Sequence, residues 1–444
     1  MHNSYKRPRA SSRGCSLDTH VQRARCFGTD SGASALRRTL LPVLAFMAMS
    51  ASHAADSPSF GALLQQAQAQ APQLLEQAAN VRAAGADLRQ ARAWLNPSLN
   101  AVSENIGAPR QGGASQRENT YSVTQVFEIG GKRGARIEAG RRLALAAGAR
   151  ERQVRVAYAG ELALTYATAE AMQQRLDVAR AELERSRDDL RAADALVRAG
   201  READLRLAQA RASVAAAEAA AELAGAESSA AFARLGALVG AAEPYTRIVH
   251  PLMGTVQGRP GAAAWNPADS PVLATATAER DALAAQVRIE EKRWLPDIGV
   301  TVGMRKYGWS DEKAGTVGLS AIIPLFDRNK GGVEAARERA SGATLRMEAA
   351  RLDAIATHRS AEARVAASER SVHAAEQGEA AALDAYRLGR IGYDAGRTSL
   401  LELLAIRRLL SEAQERSIEA RLERVRALAA LSMAEGRIAF GETP

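Results

Sequence analysis

Two long stretches without proline constrain the fold of this chain more than any other feature. One extends from Arg110 to Glu243 and the other from Leu325 to Thr443, and all fourteen prolines lie outside them. A helix over about residues 133–199 would be roughly 100 Å long at ~1.5 Å per residue. Within it, apolar or small residues recur at alternating steps of four and three, as is typical of a coiled coil. The members of this seam are Tyr158, Leu162, Thr165, Ala169, Met172, Leu176, Ala179, Leu183, Ser186, Leu190, Ala193 and Val197.

The first 54 residues are predicted to be a disordered extension followed by a secretory signal peptide. The apolar run Thr39–Ser50 follows Arg37 and Arg38, and the small residues Ser52 and Ala54 come after it. Such a run is too short to span a membrane as a helix. Cleavage near Ala54 would lower the net charge from +9 to +3. The basic balance of the whole chain therefore does not indicate a nucleic-acid partner.

The chain after this segment lacks the residues of common reactive or metal sites. Both cysteines, Cys15 and Cys26, precede the predicted cleavage site, and the histidines that follow it are His250, His358 and His373. This argues against a Cys/His metal site and against thiol catalysis. His358 and His373 lie about four helical turns apart, so they cannot share a metal. We expect both to be solvated.

The chain contains an internal duplication. The sequence Ala-Gly-Arg at 199–201 recurs at 395–397, an offset of 196, and the same offset relates Leu207 to Leu403 and Arg211 to Arg407. We predict two repeats of helix, β-hairpin and helical hairpin. Repeat 1 spans 56–240, with strands at about 98–129 and the helical hairpin at about 133–239. A linker follows at 241–271. Repeat 2 spans 272–441, with strands at about 297–324 and helices at about 329–439.

The predicted strands are apolar on one face and small or polar on the other. In an exported protein this alternation favours a transmembrane barrel with the apolar face toward lipid. Four strands cannot close a barrel, and lipid does not tolerate an open sheet edge, so several copies must assemble. The predicted lipid-facing residues are Ile298, Val300, Val302, Met304, Val317, Leu319, Ala321 and Ile323.

Over nearly its whole length after the signal peptide, the sequence resembles the TolC family of outer-membrane efflux channels. The resemblance rests on the twofold repeat, on the order of hairpin and long helix, and on the motif GRTSLLELL at 396–404 after Tyr393. Asn96-Pro97 and the stretch QVFEIGGKR at 125–133 are most similar to the CzcC branch of the family, which serves cobalt-zinc-cadmium efflux.

The resemblance implies a mostly α fold with a small β part. This is the TolC-like trimeric α/β barrel, with long antiparallel coiled-coil helices and four transmembrane strands per chain. It also implies a homotrimer in the outer membrane with its helical tunnel in the periplasm. The implied partners are a periplasmic adaptor (membrane fusion protein), an inner-membrane pump of the resistance-nodulation-division type and outer-membrane lipid.

The predicted function is an outer-membrane exit duct for heavy-metal cations. The predicted duct has no cofactor, bound metal, catalytic residue or nucleic-acid partner. One alternative is a duct for drug efflux or type I secretion. Another, from a different class, is a periplasmic coiled-coil scaffold without a pore.

The turns of the two helical hairpins are the candidate gate of such a duct. In TolC acidic residues narrow this tip. The resemblance places Glu402 on the first acidic position, but Ala405 stands on the second. Because the offset pairs Arg206 with Glu402, we predict that Glu402 pairs with Arg206, or Arg397 with Asp204, and helps to hold the duct closed. Solvated charges are the alternative. The candidate tip residues are Gly200, Asp204, Arg206, Tyr393, Gly396, Arg397 and Glu402.

Overall fold

The computed structural model describes residues 56–241, 243–254 and 265–441. The predicted extension and signal peptide lie outside these ranges, as does part of the predicted linker. In chain order the elements are β1 (Asp56–Ser57), α1 (Phe60–Gln70), α2 (Pro72–Arg92), β2 (Ser98–Glu104), β3 (Glu118–Phe127), α3 (Lys132–Arg198), α4 (Asp204–Val239), β4 (Arg247–Ile248), a 3₁₀ turn (Pro267–Asp269), α5 (Pro271–Lys292), β5 (Ile298–Tyr307), β6 (Lys313–Ala321), α6 (Lys330–Asp394) and α7 (Leu400–Ala434).

Two very long helices, one in each half of the chain, dominate the structure. Helix α3 has 67 residues and α6 has 65. Each follows a two-stranded hairpin and is followed by a shorter helix, α4 or α7, which packs against it. Helices α2 and α5 begin with Pro72 and Pro271, in the first turn where the missing N–H costs no hydrogen bond. No described helix is long and apolar enough to cross a membrane.

The heptad seam of α3 is covered along its length. All twelve predicted seam residues are buried or half-buried, because α3 packs against α2, α4, α5 and α7. The main core lies near the middle of α3, where the Tyr158 hydroxyl donates to the Leu238 carbonyl at 2.8 Å and the Tyr166 hydroxyl to that of His250 at 2.7 Å. Burial raises the pKa of both phenols to about 12.

A buried carboxylate ties the segment after α4 to this core. One oxygen of Glu170 accepts from the backbone N–H groups of Leu252 and Met253, at 2.7 and 3.1 Å. Burial raises the pKa of Glu170, and the two N–H donors oppose that shift only in part.

The four longer strands form one antiparallel sheet in the order β2-β3-β5-β6. Strand β6 ends at Ala321, so Ile323, which we assigned to the lipid-facing strand, lies beyond it. The physical reason is the length of its partner. Ala321 pairs with Ile298, the first residue of β5. The same register would place Ile323 opposite Pro296, two residues before Ile298, and proline has no N–H to donate to a longer ladder.

Candidate functional site

The register of the sheet places most of the predicted lipid-facing residues on one face. Val302 lies opposite both Val123 and Val317, and Val300 lies opposite Leu319. Directly opposed residues share a face, so these side chains form a continuous apolar surface. In the single chain Val317 is 81% exposed and Leu319 is 79% exposed. Surfaces of this kind mark contact with a partner or with a membrane.

The opposite face of the sheet carries hydrogen-bonded polar side chains. Arg305 donates to Glu118 at 2.8 Å and to Thr120 at 3.2 Å, and its guanidinium lies 3.7 Å from Glu104. Thr124 and Thr301 share a hydrogen bond of 2.7 Å. These contacts link β2, β3 and β5, so side-chain hydrogen bonds and ion pairs connect the strands across the polar face.

Both outer strands of the sheet have one unpaired edge within the chain. Strand β2 pairs with β3, and β6 pairs with β5, and among the described residues no other strand joins them. Unpaired edges invite pairing with another chain. The sheet is therefore suited to a closed ring built from several copies.

Glycines in the left-handed conformation end both long helices at the predicted tip. Gly200 has φ 68° and Gly396 has φ 70°, where a side chain would be strained. The N–H of the next residue, Arg201 or Arg397, bonds back to a carbonyl of the last helical turn at 3.0 or 2.8 Å. This is the Schellman motif that terminates many helices.

Within the chain, the predicted charge pairs at the tip do not form. Arg206 on α4 pairs with Glu202, in the turn just before that helix, at 3.3 Å. In the described part of the chain, no ion pair joins Glu402 to Arg206 or Arg397 to Asp204. Glu402 lies in the first turn of α7, where its N–H donates to Ser399 at 3.2 Å. An acidic side chain there is also favoured by the helix dipole.

Tyr393 and Arg206 nevertheless lie close together, across a small cavity between the two hairpins. The cavity has a volume of about 30 Å³ and is also lined by Asp189, Leu400 and Leu404. A space of this size holds about one water molecule. The structure thus brings two of the seven predicted tip residues to one cavity, and the other five are not among its lining residues.

Just above the tip, a buried arginine that we did not predict as a site residue joins the two halves of the chain. The Arg407 side chain on α7 is 3% exposed. It donates to Glu182 at 2.5 Å, to Ser186 at 3.0 Å and to Asp189, all on α3. Burial raises the pKa of Asp189, and the Arg407 charge opposes this shift.

One sequence signal could have revealed this cluster. Leu400, Leu403, Arg407 and Leu410 are all buried and follow the three-four spacing of a coiled-coil seam. A charged residue at such a position requires buried partners, because an unpaired buried charge is costly.

His358 is buried, contrary to the predicted solvated position. Its ring stacks on Trp265, with 3.9 Å between centroids and 2° between planes. His373 is exposed, as expected, and contacts Gln377. The described residues contain no group of three or more His, Cys, Asp or Glu side chains arranged to hold a metal ion.

The family model of the outer membrane efflux protein matches residues 63–241 and 267–437, most of the chain. The chain belongs to the outer membrane efflux protein family. The predicted family is thereby confirmed, and the family is one of efflux channels in the outer membrane, not of enzymes.

Curated relatives in this family are metal-resistance proteins by name. The nickel-cobalt-cadmium resistance protein NccC of Alcaligenes xylosoxydans xylosoxydans is 54% identical over 90% of this chain and 91% of its own length. The nickel and cobalt resistance protein CnrC of Cupriavidus metallidurans is also 54% identical, over 88% of this chain and 94% of its own. The cobalt-zinc-cadmium resistance protein CzcC is 27% identical over 74% of this chain. The predicted branch is correct, and the chain lies nearer to NccC and CnrC than to CzcC within it.

The fold is that of solved TolC-like channels. The crystal structure of CusC superposes with a TM-score of 0.74, covering 85% of this chain and 92% of CusC at 19% identity. The outer membrane protein VceC of Vibrio cholerae has a TM-score of 0.69 and 20% identity, over 85% of this chain and 96% of VceC. The predicted fold class, mostly α with a small β part, is confirmed.

Proposed function

We propose that three copies of this chain form the outer-membrane exit duct of a tripartite efflux system for divalent heavy-metal cations. Twelve strands close into a barrel, apolar toward lipid and polar toward the lumen. The long helices continue it as a periplasmic tunnel. A periplasmic adaptor and an inner-membrane pump of the resistance-nodulation-division type supply the cations and the energy.

The observation that carries this proposal is the two-faced sheet with two unpaired edges. A coiled-coil scaffold without a pore has no use for an apolar surface at Val302, Val317 and Leu319 backed by a bonded polar face. The edges of β2 and β6 suit closure by neighbouring copies. The assignment of metal cations as the substrate has a separate basis, namely the names of NccC and CnrC, each 54% identical to this chain.

Growth of a deletion strain tests both parts of the proposal. We expect the strain to become sensitive to Ni²⁺, Co²⁺ and Cd²⁺, to recover with the wild-type gene, and to keep its tolerance of drugs. Sensitivity to drugs alone would instead support the drug-efflux or secretion alternative. Recovery of the protein as a soluble monomer, rather than as a heat-modifiable trimer in outer-membrane fractions, would support the scaffold.

At the tip, we propose that Glu402 and Arg206, or Arg397 and Asp204, pair between neighbouring copies and bias the duct toward its closed state. Each exposed pair contributes only about 0–1 kcal/mol, but the symmetry repeats it three times. Arg206 would have to exchange its partner Glu202 for Glu402 of the neighbouring copy.

Single-channel conductance in planar bilayers tests this gate. Glu402→Ala and Arg206→Ala should each raise conductance. The double variant that exchanges the two charges should return conductance to the wild-type level. Glu202→Ala is the matched control, because it removes the partner that Arg206 has within the chain. If neither tip variant conducts more than the wild type, the gate lies elsewhere.

A further inference from the structure

The two repeats differ in chemistry at one equivalent place in their helices. Leu162 and Tyr166 on α3 are fully buried in the main core, together with Val239 at the end of α4. At the offset of 196, the equivalent residues of the second repeat are His358, Glu362 and Glu435. Three core positions that carry no charge near neutral pH in repeat 1 thus hold a histidine and two glutamates in repeat 2.

These ionisable side chains contact one another around a buried imidazole. His358 Nδ1 lies 3.6 Å from Glu362 Oε2, and Nε2 lies 3.4 Å from Glu435 Oε1. The other oxygen of Glu435 pairs with Arg437. On the linker side, the ring face is covered by Trp265, and the carboxylate of Asp269 is engaged with the N–H of Asn266 at 3.2 Å. The charged groups that contact the ring among the described residues are therefore two carboxylates.

This arrangement suits a proton better than a metal ion. The two carboxylates contact opposite nitrogens of the ring, so one ion cannot bind both of them and the imidazole. A protonated ring, by contrast, donates from both nitrogens and carries a charge that an indole face attracts. Histidine is also the side chain whose charge ordinarily changes between about pH 5 and 8.

We propose that His358 is a proton-binding latch at the junction of linker, α6 and α7. In its protonated form it joins three elements: the linker end at Trp265, α6 through Glu362, and the end of α7 through Glu435. Loss of the proton removes one donor and the positive charge, and the linker end and the start of α5 become less firmly held. Repeat 1 has no such latch, because Leu162, Tyr166 and Val239 at its equivalent positions stay uncharged between pH 5.5 and pH 8; burial raises the pKa of the Tyr166 phenol to about 12.

Two readouts on the full-length protein in detergent test the latch between pH 8 and pH 5.5. The first is tryptophan fluorescence, because a protonated imidazole quenches an indole stacked on it. The chain has four tryptophans, so Trp265→Phe identifies the contribution of Trp265. The second is amide hydrogen exchange of residues 265–275, corrected for intrinsic rates. Acidification should quench Trp265 and raise protection about three- to tenfold, the range for one partly buried ion pair.

The variants make the result specific to this cluster. His358→Gln should abolish both pH responses, and Glu435→Gln should reduce them while leaving the ring in place. His373→Gln is the matched control, since it removes an exposed histidine from the same helix and should leave both responses intact. The proposal is overturned if His358→Gln responds to pH like the wild type. Reproduction of the acid response by micromolar Ni²⁺ at pH 7.5 would overturn it too, because the ligand would then be a metal.

Discussion

At the scale of single residues, the notable feature of the interface between the two helical hairpins is a cluster of buried charges rather than its apolar contacts. Arg407 on α7 is enclosed by Glu182, Ser186 and Asp189 on α3. Taking such charges out of water is costly, but removing one partner from an existing cluster costs more. The cluster therefore fixes which face of α7 meets α3, and the leucines around it supply the packing.

We expect Arg407→Met to lower the free energy of unfolding by about 1–3 kcal/mol. Glu182 and Asp189 lose the partner that they share. Because these two carboxylates are partly exposed, the cost stays below that of breaking a fully buried pair. Arg408→Met is the matched control, because Arg408 is exposed and pairs with Glu412 at 3.1 Å, so its loss should cost about 0–1 kcal/mol. Denaturant unfolding followed by circular dichroism measures both. Equal effects of the two substitutions would contradict the structural role of the cluster.

Glu170 predicts a pH dependence with a defined sign. Burial raises the pKa of this carboxyl in the folded protein, so the folded state takes up a proton more readily than the unfolded state. Its stabilising contribution is present at low pH and is lost as the pH rises through the folded pKa. The stability of the wild type relative to Glu170→Gln should therefore increase as pH falls from about 8 to about 4. Glu184→Gln, which makes the same substitution at an exposed position, is the matched control, and denaturant unfolding at each pH measures both variants.

At the scale of elements, the sequence predicts what is periodic and misses what depends on neighbours. The heptads of α3 predicted a seam that is covered throughout, and the alternation of β5 and β6 predicted one apolar face. The end of β6 was missed because it depends on where β5 begins. The buried state of His358 was missed because its cover, Trp265, comes from the linker and not from its own helix.

The offset of the repeat does not by itself place the predicted charge pairs at the tip in contact within one chain. It identifies Arg206 and Glu402 as equivalent positions on two hairpins, and equivalence does not place them in contact. Helix α7 contacts α3 instead, so Arg407 meets residues 182–189 and not its own counterpart Arg211. The packing of one repeat against the other depends on the folded chain and cannot be predicted from the sequence offset.

The sheet predicts opposite outcomes for arginine on its two faces. Val302→Arg places a charge on the apolar face near mid-strand and should cost about 2–4 kcal/mol if that site lies at the membrane midplane. Thr316→Arg, on the other face and beside Gly303 in the register, joins the face that already carries Arg305 and should be tolerated. The yield of trimer in outer-membrane fractions distinguishes the two variants. Equal yields would mean that the apolar face does not contact lipid.

At the scale of the whole molecule, the internal repeat predicts how neighbouring copies pair. Strand β3 corresponds to β6 at the repeat offset of 196, so Thr124 is equivalent to Ser320. Ser98 lies opposite Thr124 in the first hairpin, and Gly299 lies opposite Ser320 in the second. Strand β2 therefore corresponds to β5 at an offset of 201. Within the chain Thr124 pairs with Thr301. If the junction between copies repeats the junction between hairpins, Ser320 of one copy lies opposite Asn100 of the next, and Leu319 opposite Ala101.

Cysteine cross-linking tests this register. We expect Asn100→Cys/Ser320→Cys or Ala101→Cys/Leu319→Cys to form disulfides between copies and give a covalent trimer on non-reducing gels. Both pairs are needed because neighbouring antiparallel pairs alternate between wide and close spacing. The background is clean, because Cys15 and Cys26 precede the predicted cleavage site. Glu104→Cys/Ser320→Cys is the matched control, displaced by four residues or about 13 Å at ~3.3 Å per residue. Cross-linking of the control alone would show a different register, and cross-linking of none would show that β2 and β6 do not meet between copies.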